Sequence, residues 1–78
     1  MKWLYEIFKN TTPVFVEIRG RESVLAQGYC RVEQYLPESI VLSCGEYSVA
    51  INGSCLELRH LSEEAVAVDG RIDSVEFL

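Results

Sequence analysis

One histidine, His60, is the whole supply of imidazole in this chain. A reaction centre needs a nucleophile, a base and a group that orients them. No spacing in the sequence puts His60 beside Cys30, Cys44 or Cys55, and the paired acids Glu63-Glu64 sit in a turn, where solvation explains them. An enzyme is therefore not expected. The three cysteines are odd in number and dispersed, without the close pairing of a zinc or dithiol redox site, so no metal is expected. The five glycines are isolated from one another, which excludes a phosphate-cradling loop and leaves no cofactor to expect.

Basic residues are scarce too. Seven stand against twelve acids, a formal charge of −5, and the resulting field repels nucleic acid and anionic lipid. Arg19 and Arg21 are the only close basic pair and read as solvated turn charge, not as a polybasic patch. Tyr5, Tyr29, Tyr35, Tyr47 and Phe15 lack the basic groove that would make them a stacking platform for single strands, so they are assigned to core or interface packing.

Long apolar runs are missing as well: nothing approaches the roughly 20 residues that cross a bilayer as a helix. Met1 to Phe8 imitates the start of a targeting peptide, but Glu6 and Lys9 interrupt it and no small-residue cleavage site follows. The expectation is a cytoplasmic protein with no span and no export by this route. Cys44 and Cys55 are placed where neighbouring strands would let them meet, but without an oxidising compartment the cysteines are expected as buried free thiols.

Apolar side chains are what the chain has in quantity, at 49% of 78 residues. That length makes one domain and buries only about 60–65% of the unfolded surface, so stability is marginal without a helper. The apolar surplus over what one small core hides favours burial against a partner or another copy, and a homo-oligomer is expected.

From Pro13 onward the sequence reads as strands punctuated by turn residues. Val14, Val16 and Ile18 share one strand face, and Gly20-Arg21-Glu22 turns the chain into Ser23–Gln27. Gly28 marks a bend. Over Tyr29–Tyr35, Cys30 and Val32 oppose Tyr29, Arg31, Glu33 and Tyr35 until Pro37-Glu38-Ser39 stops the strand. Ile40, Leu42 and Cys44 alternate with Val41 and Ser43, and Cys44-Gly45-Glu46 connects tightly into Tyr47, Val49 and Ile51. Asn52-Gly53 predicts a type I′ turn into Leu56 and Leu58. Asp69-Gly70 is a second such dipeptide, either a turn or a bulge inside one long bent strand. The fold expected is all-β: a small antiparallel meander of about six or seven short strands over residues 13–78, closed as a barrel-like roll or two-layer sandwich.

Residues 1–12 form a separate amphipathic segment. Trp3, Leu4, Ile7 and Phe8 fall on one side of a short helix, with Lys2, Glu6 and Lys9 away from them. Two turns of helix are not stable alone, so the stripe is expected to dock on the β core, on another copy or on a membrane partner. A β-strand over the same residues is the alternative.

The last third, CLELRHLSEEAVAVDGRIDSVEFL, carries the most specific pattern: Leu56, Leu58, Leu61, Val66, Val68, Ile72, Val75 and Phe77 recur at strand spacing around Gly70 and a Ser-Glu-Glu turn. This layout, and the succession of strand pairs from about Glu22 to Leu78, resembles the YabP/YqfC family of bacterial sporulation proteins. The resemblance implies a small non-enzymatic cytoplasmic adaptor or scaffold of the mother cell, acting in spore envelope, cortex or coat assembly with an integral membrane sporulation protein and peripheral to the membrane through it. The opening MKWLYEIF and the cysteine content depart from the pattern, and the first leaves the choice of partner open. The interaction candidates are Trp3, Leu4, Ile7 and Phe8 on the stripe, and Val75 and Phe77 on a closing strand, Asp73 to Leu78, whose edge is available to a second copy or a partner strand. The other class to weigh is a small SH3-like or Sm-like β-barrel interaction module unrelated to sporulation.

Overall fold

Strand follows strand along nearly the whole of the region that the computed structural model describes, residues 15–45 and 47–78. The elements are β1 (Phe15–Arg19), β2 (Ser23–Gln27), β3 (Arg31–Leu36), β4 (Ser39–Cys44), β5 (Tyr47–Leu61) and β6 (Ala65–Phe77). They form one antiparallel sheet in the order β1-β2-β6-β5-β4-β3. The expected all-β class and the count of six are observed. The closure is not: among the described residues β1 and β3 end the sheet as edges, and β6 lies between β2 and β5, so the order is not a simple meander. The amphipathic segment 1–12 lies outside the described residues.

The open sheet is strongly curled. Only Gly28, Tyr29 and Cys30 join β2 to β3, a reach of at most about 14 Å from Gln27 to Arg31. A flat sheet would hold β2 and β3 four strand spacings apart, about 19 Å. The two ends of β5 also approach each other, since Gly45 and Leu61 line the same cleft although a straight strand of fifteen residues would hold its ends about 50 Å apart. Tyr35 of β3 closes the curl from inside: its hydroxyl accepts a hydrogen bond from the Leu58 backbone N–H at 3.3 Å.

Two glycines make the bend. Asn52-Gly53 does not form the expected turn; β5 runs through it, and the strands expected on either side are one. Gly53 is not among the positive-φ residues, as a type I′ turn would require. A side chain there would collide with the Arg71 carbonyl instead. Across the ladder, Gly70 lies inside β6 at φ +143°, and a Cβ on it would sit 2.6 Å from the Cys55 carbonyl oxygen. The two backbones thus press on each other where only hydrogen fits, flanked by register shifts between Asn52 and Gly53 and between Ser54 and Glu57. The two leading hairpins cap this crossing in the same way. Gly70 and Ile72 donate their N–H groups to Glu22 and Arg21 in the β1–β2 turn, and Gly53 and Leu56 donate theirs to Glu38 and Pro37 in the β3–β4 turn.

The concave face carries the core. Val24, Ala26, Ile40, Leu42, Val49, Ile51, Val66 and Val68 are at most 1% exposed, and Cys30, Cys44, Leu56 and Ile72 complete the cluster. The buried positions in β4 follow the expected alternation, and at the start of β5 Val49 and Ile51 keep it while Ala50 between them is buried as well. In β3 a bulge at Glu33 changes it: Tyr35 pairs with Ile40 and Val32 with Leu42, so Tyr35 shares the face of Val32 instead of opposing it. Among the described residues the core holds no buried polar or charged side chain.

Candidate interaction surface

β6 plays two parts along its length. Its first half, Ala65 to Asp69, is interior, between β2 and β5. Ser23 pairs with Asp69 and β2 goes no further, so among the described residues no strand pairs with the outer side of Asp73–Phe77. Arg21 marks the changeover, accepting the Ile72 N–H on its carbonyl at 2.8 Å, donating from Nε to the Ile72 carbonyl at 3.3 Å and meeting Asp73 Oδ1 at 3.2 Å. Beyond it the strand is held from one side only, down to reciprocal hydrogen bonds between Leu78 and Ser48.

The two described interaction candidates differ in what they offer. Val75 is opposite Ile51 and packs against the core. Phe77 is 63% exposed, with its ring tilted against Tyr47 at a centroid distance of 5.6 Å, and Leu78 beside it is exposed too. The open backbone edge and these two apolar side chains form one continuous strip. Phe15 and Ile18 on the edge strand β1 and Leu36 at the end of β3 are exposed apolar residues that the sequence pattern did not single out, because alternation alone does not reveal which strands become edges. Trp3, Leu4, Ile7 and Phe8 lie outside the described residues.

His60 and the paired acids stand on the surface. His60 is exposed on β5, in register with Ala67, and Glu63 and Glu64 are exposed in the turn that Ser62 organises by accepting N–H groups from Glu64 and Ala65. Among the described residues no three of His, Cys, Asp and Glu converge where a metal could bind. Arg19 pairs with Glu17, Arg21 with Asp73 and Arg59 with Asp69, all on the surface, where such pairs contribute little.

Cysteine placement departs from expectation. Cys44 pairs in register with Tyr47, while Cys55 lies past the opposite end of β4, beyond Asn52, so those two thiols cannot meet. Cys55 is exposed, with φ 54° in the β5 bulge. Cys30 and Cys44 are buried as expected, but their sulfurs are in contact at 2.9 Å. Burial pushes the Cys44 thiol up to about 12, and the bond to Cys30 and the charge Cys30 would carry add to the shift. Tyr47 is raised also, by burial first and then by the nearby thiols. A cleft of about 700 Å³ opens over this end of the curl, lined by Tyr29, Cys30, Arg31, Ser43, Leu61 and Glu63 among others.

No helix among the described residues is long and apolar enough to cross a membrane. No curated protein matches the chain. The model of the YabP family matches residues 10–78, from just before the first strand through the curled sheet and its open C-terminal strip. The chain belongs to the YabP family, and that membership points to a sporulation-related protein.

Proposed function

We propose that the protein is a non-enzymatic adaptor in bacterial spore envelope formation, cortex or coat assembly included, working from the mother-cell cytoplasm with an integral membrane sporulation protein. The family match over residues 10–78 carries this reading. The geometry supports it: among the described residues the core has no buried polar side chain, and no strand pairs with the outer edge of Asp73–Phe77, which exposed Phe77 and Leu78 flank. Strand addition to such an edge supplies main-chain hydrogen bonds while neighbouring side chains select the partner. The same strip serves a second copy in a homo-oligomer, and the Trp3-Leu4-Ile7-Phe8 stripe is a further contact for the membrane protein. Attachment to the membrane is thus through protein, not lipid. No observation favours an SH3-like or Sm-like module unrelated to sporulation.

Affinity purification of the tagged chain from membranes of its own host, during growth and during starvation, tests the proposal. The expected result is one multi-span membrane protein, enriched only in sporulating cells and lost with Phe77→Lys or with Trp3→Ser/Phe8→Ser. Soluble partners alone, or equal recovery from growing cells, would overturn it.

A further inference from the structure

Two of the three thiols face each other at the one place where the chain crosses from β2 to β3. The β3–β4 register pairs Arg31 with Ser43 and Val32 with Leu42, and its next rung sets Cys30 opposite Cys44. Opposed residues of an antiparallel ladder have Cα atoms about 4.5–5.5 Å apart, inside the range that disulfides span. The sulfurs are already 2.9 Å apart, within about 1 Å of the covalent S–S distance. The Glu33 bulge is the cause. Leu36↔Ser39, Tyr35↔Ile40 and Gln34↔Val41 follow the tight Pro37-Glu38 turn, and that register continued without a bulge would put Cys30 opposite Gly45.

We propose that Cys30 and Cys44 are a two-electron redox pair, oxidised by a hydroperoxide to a cross-strand disulfide that staples the first rung of β3 to β4. Cys30 lines the 700 Å³ cleft and Cys44 does not, so Cys30 meets the oxidant. Its sulfur, as thiolate, attacks the terminal peroxide oxygen. The O–O bond breaks, the displaced oxygen takes up the proton that the Cys30 thiol released and leaves as the alcohol (water, for hydrogen peroxide), and Cys30 becomes a sulfenic acid. The Cys44 sulfur then attacks the Cys30 sulfur, the S–O bond breaks, and the hydroxyl leaves as water with the Cys44 proton. In sum two thiols and one hydroperoxide give one disulfide, one alcohol and one water. Adjacency puts Cys44 in the resolving position, its sulfur 2.9 Å from that of Cys30, while its raised proton affinity slows the attack at neutral pH and makes resolution the slower step. Cys55, exposed and remote, takes no part and is the site of side reactions between chains.

The consequence is local: the staple holds the edge strand and the three-residue crossover that sets the curl. Reversibility follows from the position at the cleft, where a dithiol reductant reaches Cys30 by the same route as the oxidant.

The test uses the full chain as Cys55→Ser, reduced, freed of reductant and exposed to one equivalent of hydrogen peroxide. The expected product is a monomer lighter by two hydrogens. Its Cys30 and Cys44 peptides are linked until a reductant is added, and its thermal midpoint is higher by more than about 10 °C, as closing a loop of this size implies. In the Cys55→Ser/Cys44→Ala chain, dimedone should trap the sulfenic acid at Cys30. Two thiols still free to maleimide after unfolding, disulfides only between chains, or dimedone capture at Cys44 in a Cys55→Ser/Cys30→Ala chain together with none at Cys30 in the Cys55→Ser/Cys44→Ala chain, would overturn the proposal.

Discussion

Leu42 is fully buried on the concave face, and Val32 on β3 and Val49 on β5 flank it. Truncating it leaves a cavity that a close-packed sheet cannot collapse, so Leu42→Ala should destabilise by about 2–5 kcal/mol. Set against the roughly 5–15 kcal/mol of a typical domain, that approaches complete unfolding, and denaturant titration at constant slope would measure it. Cys44 gives a second prediction, of opposite visibility at neutral pH. The folded chain holds its proton up to about 12, whereas an unfolded thiol releases it near 9. Below 9 both states carry the proton and stability is unaffected. Between 9 and 12 only the folded state does, so stability falls as pH rises. Tyr47, raised in the same direction, steepens the loss above its ordinary value of 10. The reduced protein should show a denaturation midpoint that declines from about pH 9, with a shallower decline in Cys44→Ala. A midpoint flat to pH 11 in the reduced protein would show that the proton is not held.

Elements bend here where their residues allow two backbones to touch. Gly53→Ala would drive a methyl into the Arg71 carbonyl, and Gly70→Ala adds a strained positive φ to a contact with the Cys55 backbone. Each should destabilise by at least about 3 kcal/mol, since backbone atoms on both sides have nowhere to move. Gly20 has nothing within 4 Å and only its φ of +58° to defend, so Gly20→Ala should cost about 1–2 kcal/mol. Thermal melts of the three variants side by side give the ranking, and equal effects would mean that the crossing is not the hinge of the curl. The turns at Gly20-Arg21-Glu22, Pro37-Glu38 and Ser62-Glu63-Glu64 were legible because their chemistry is local: proline ends a ladder, and the Ser62 hydroxyl takes the N–H groups of its own turn. Asn52-Gly53 misled for the same reason. Its turn preference is real, but pairing of six β5 residues with β4 and of ten with β6 outweighs one dipeptide, and the glycine serves for its lack of a side chain.

At the scale of the molecule, the curl leaves more edge than it closes. β1, β3 and the second half of β6 each end the sheet on one side, and exposed apolar side chains accompany them at Phe15, Ile18, Leu36 and Phe77. Such edges associate unless something blocks them. Phe77→Lys puts a charge on the concave face at the C-terminal strip. It should shift sedimentation toward monomer while lowering stability by no more than about 1.5 kcal/mol, the worth of the ring contact with Tyr47. An unchanged sedimentation profile would move the self-association surface elsewhere.

The sequence by itself determined the β class, the faces of β4 and the start of β5, most of the turns and the family, because alternation, turn chemistry and motif spacing act over a few neighbouring residues. Only the tertiary structure decided that β6 lies between β2 and β5, that the sheet curls without closing, and that Cys30 meets Cys44 instead of Cys44 meeting Cys55. Those outcomes depend on register. A single extra residue at Glu33 moves the facing partner of Cys30 by one position, and two glycines 17 residues apart become a hinge only once their strands are paired.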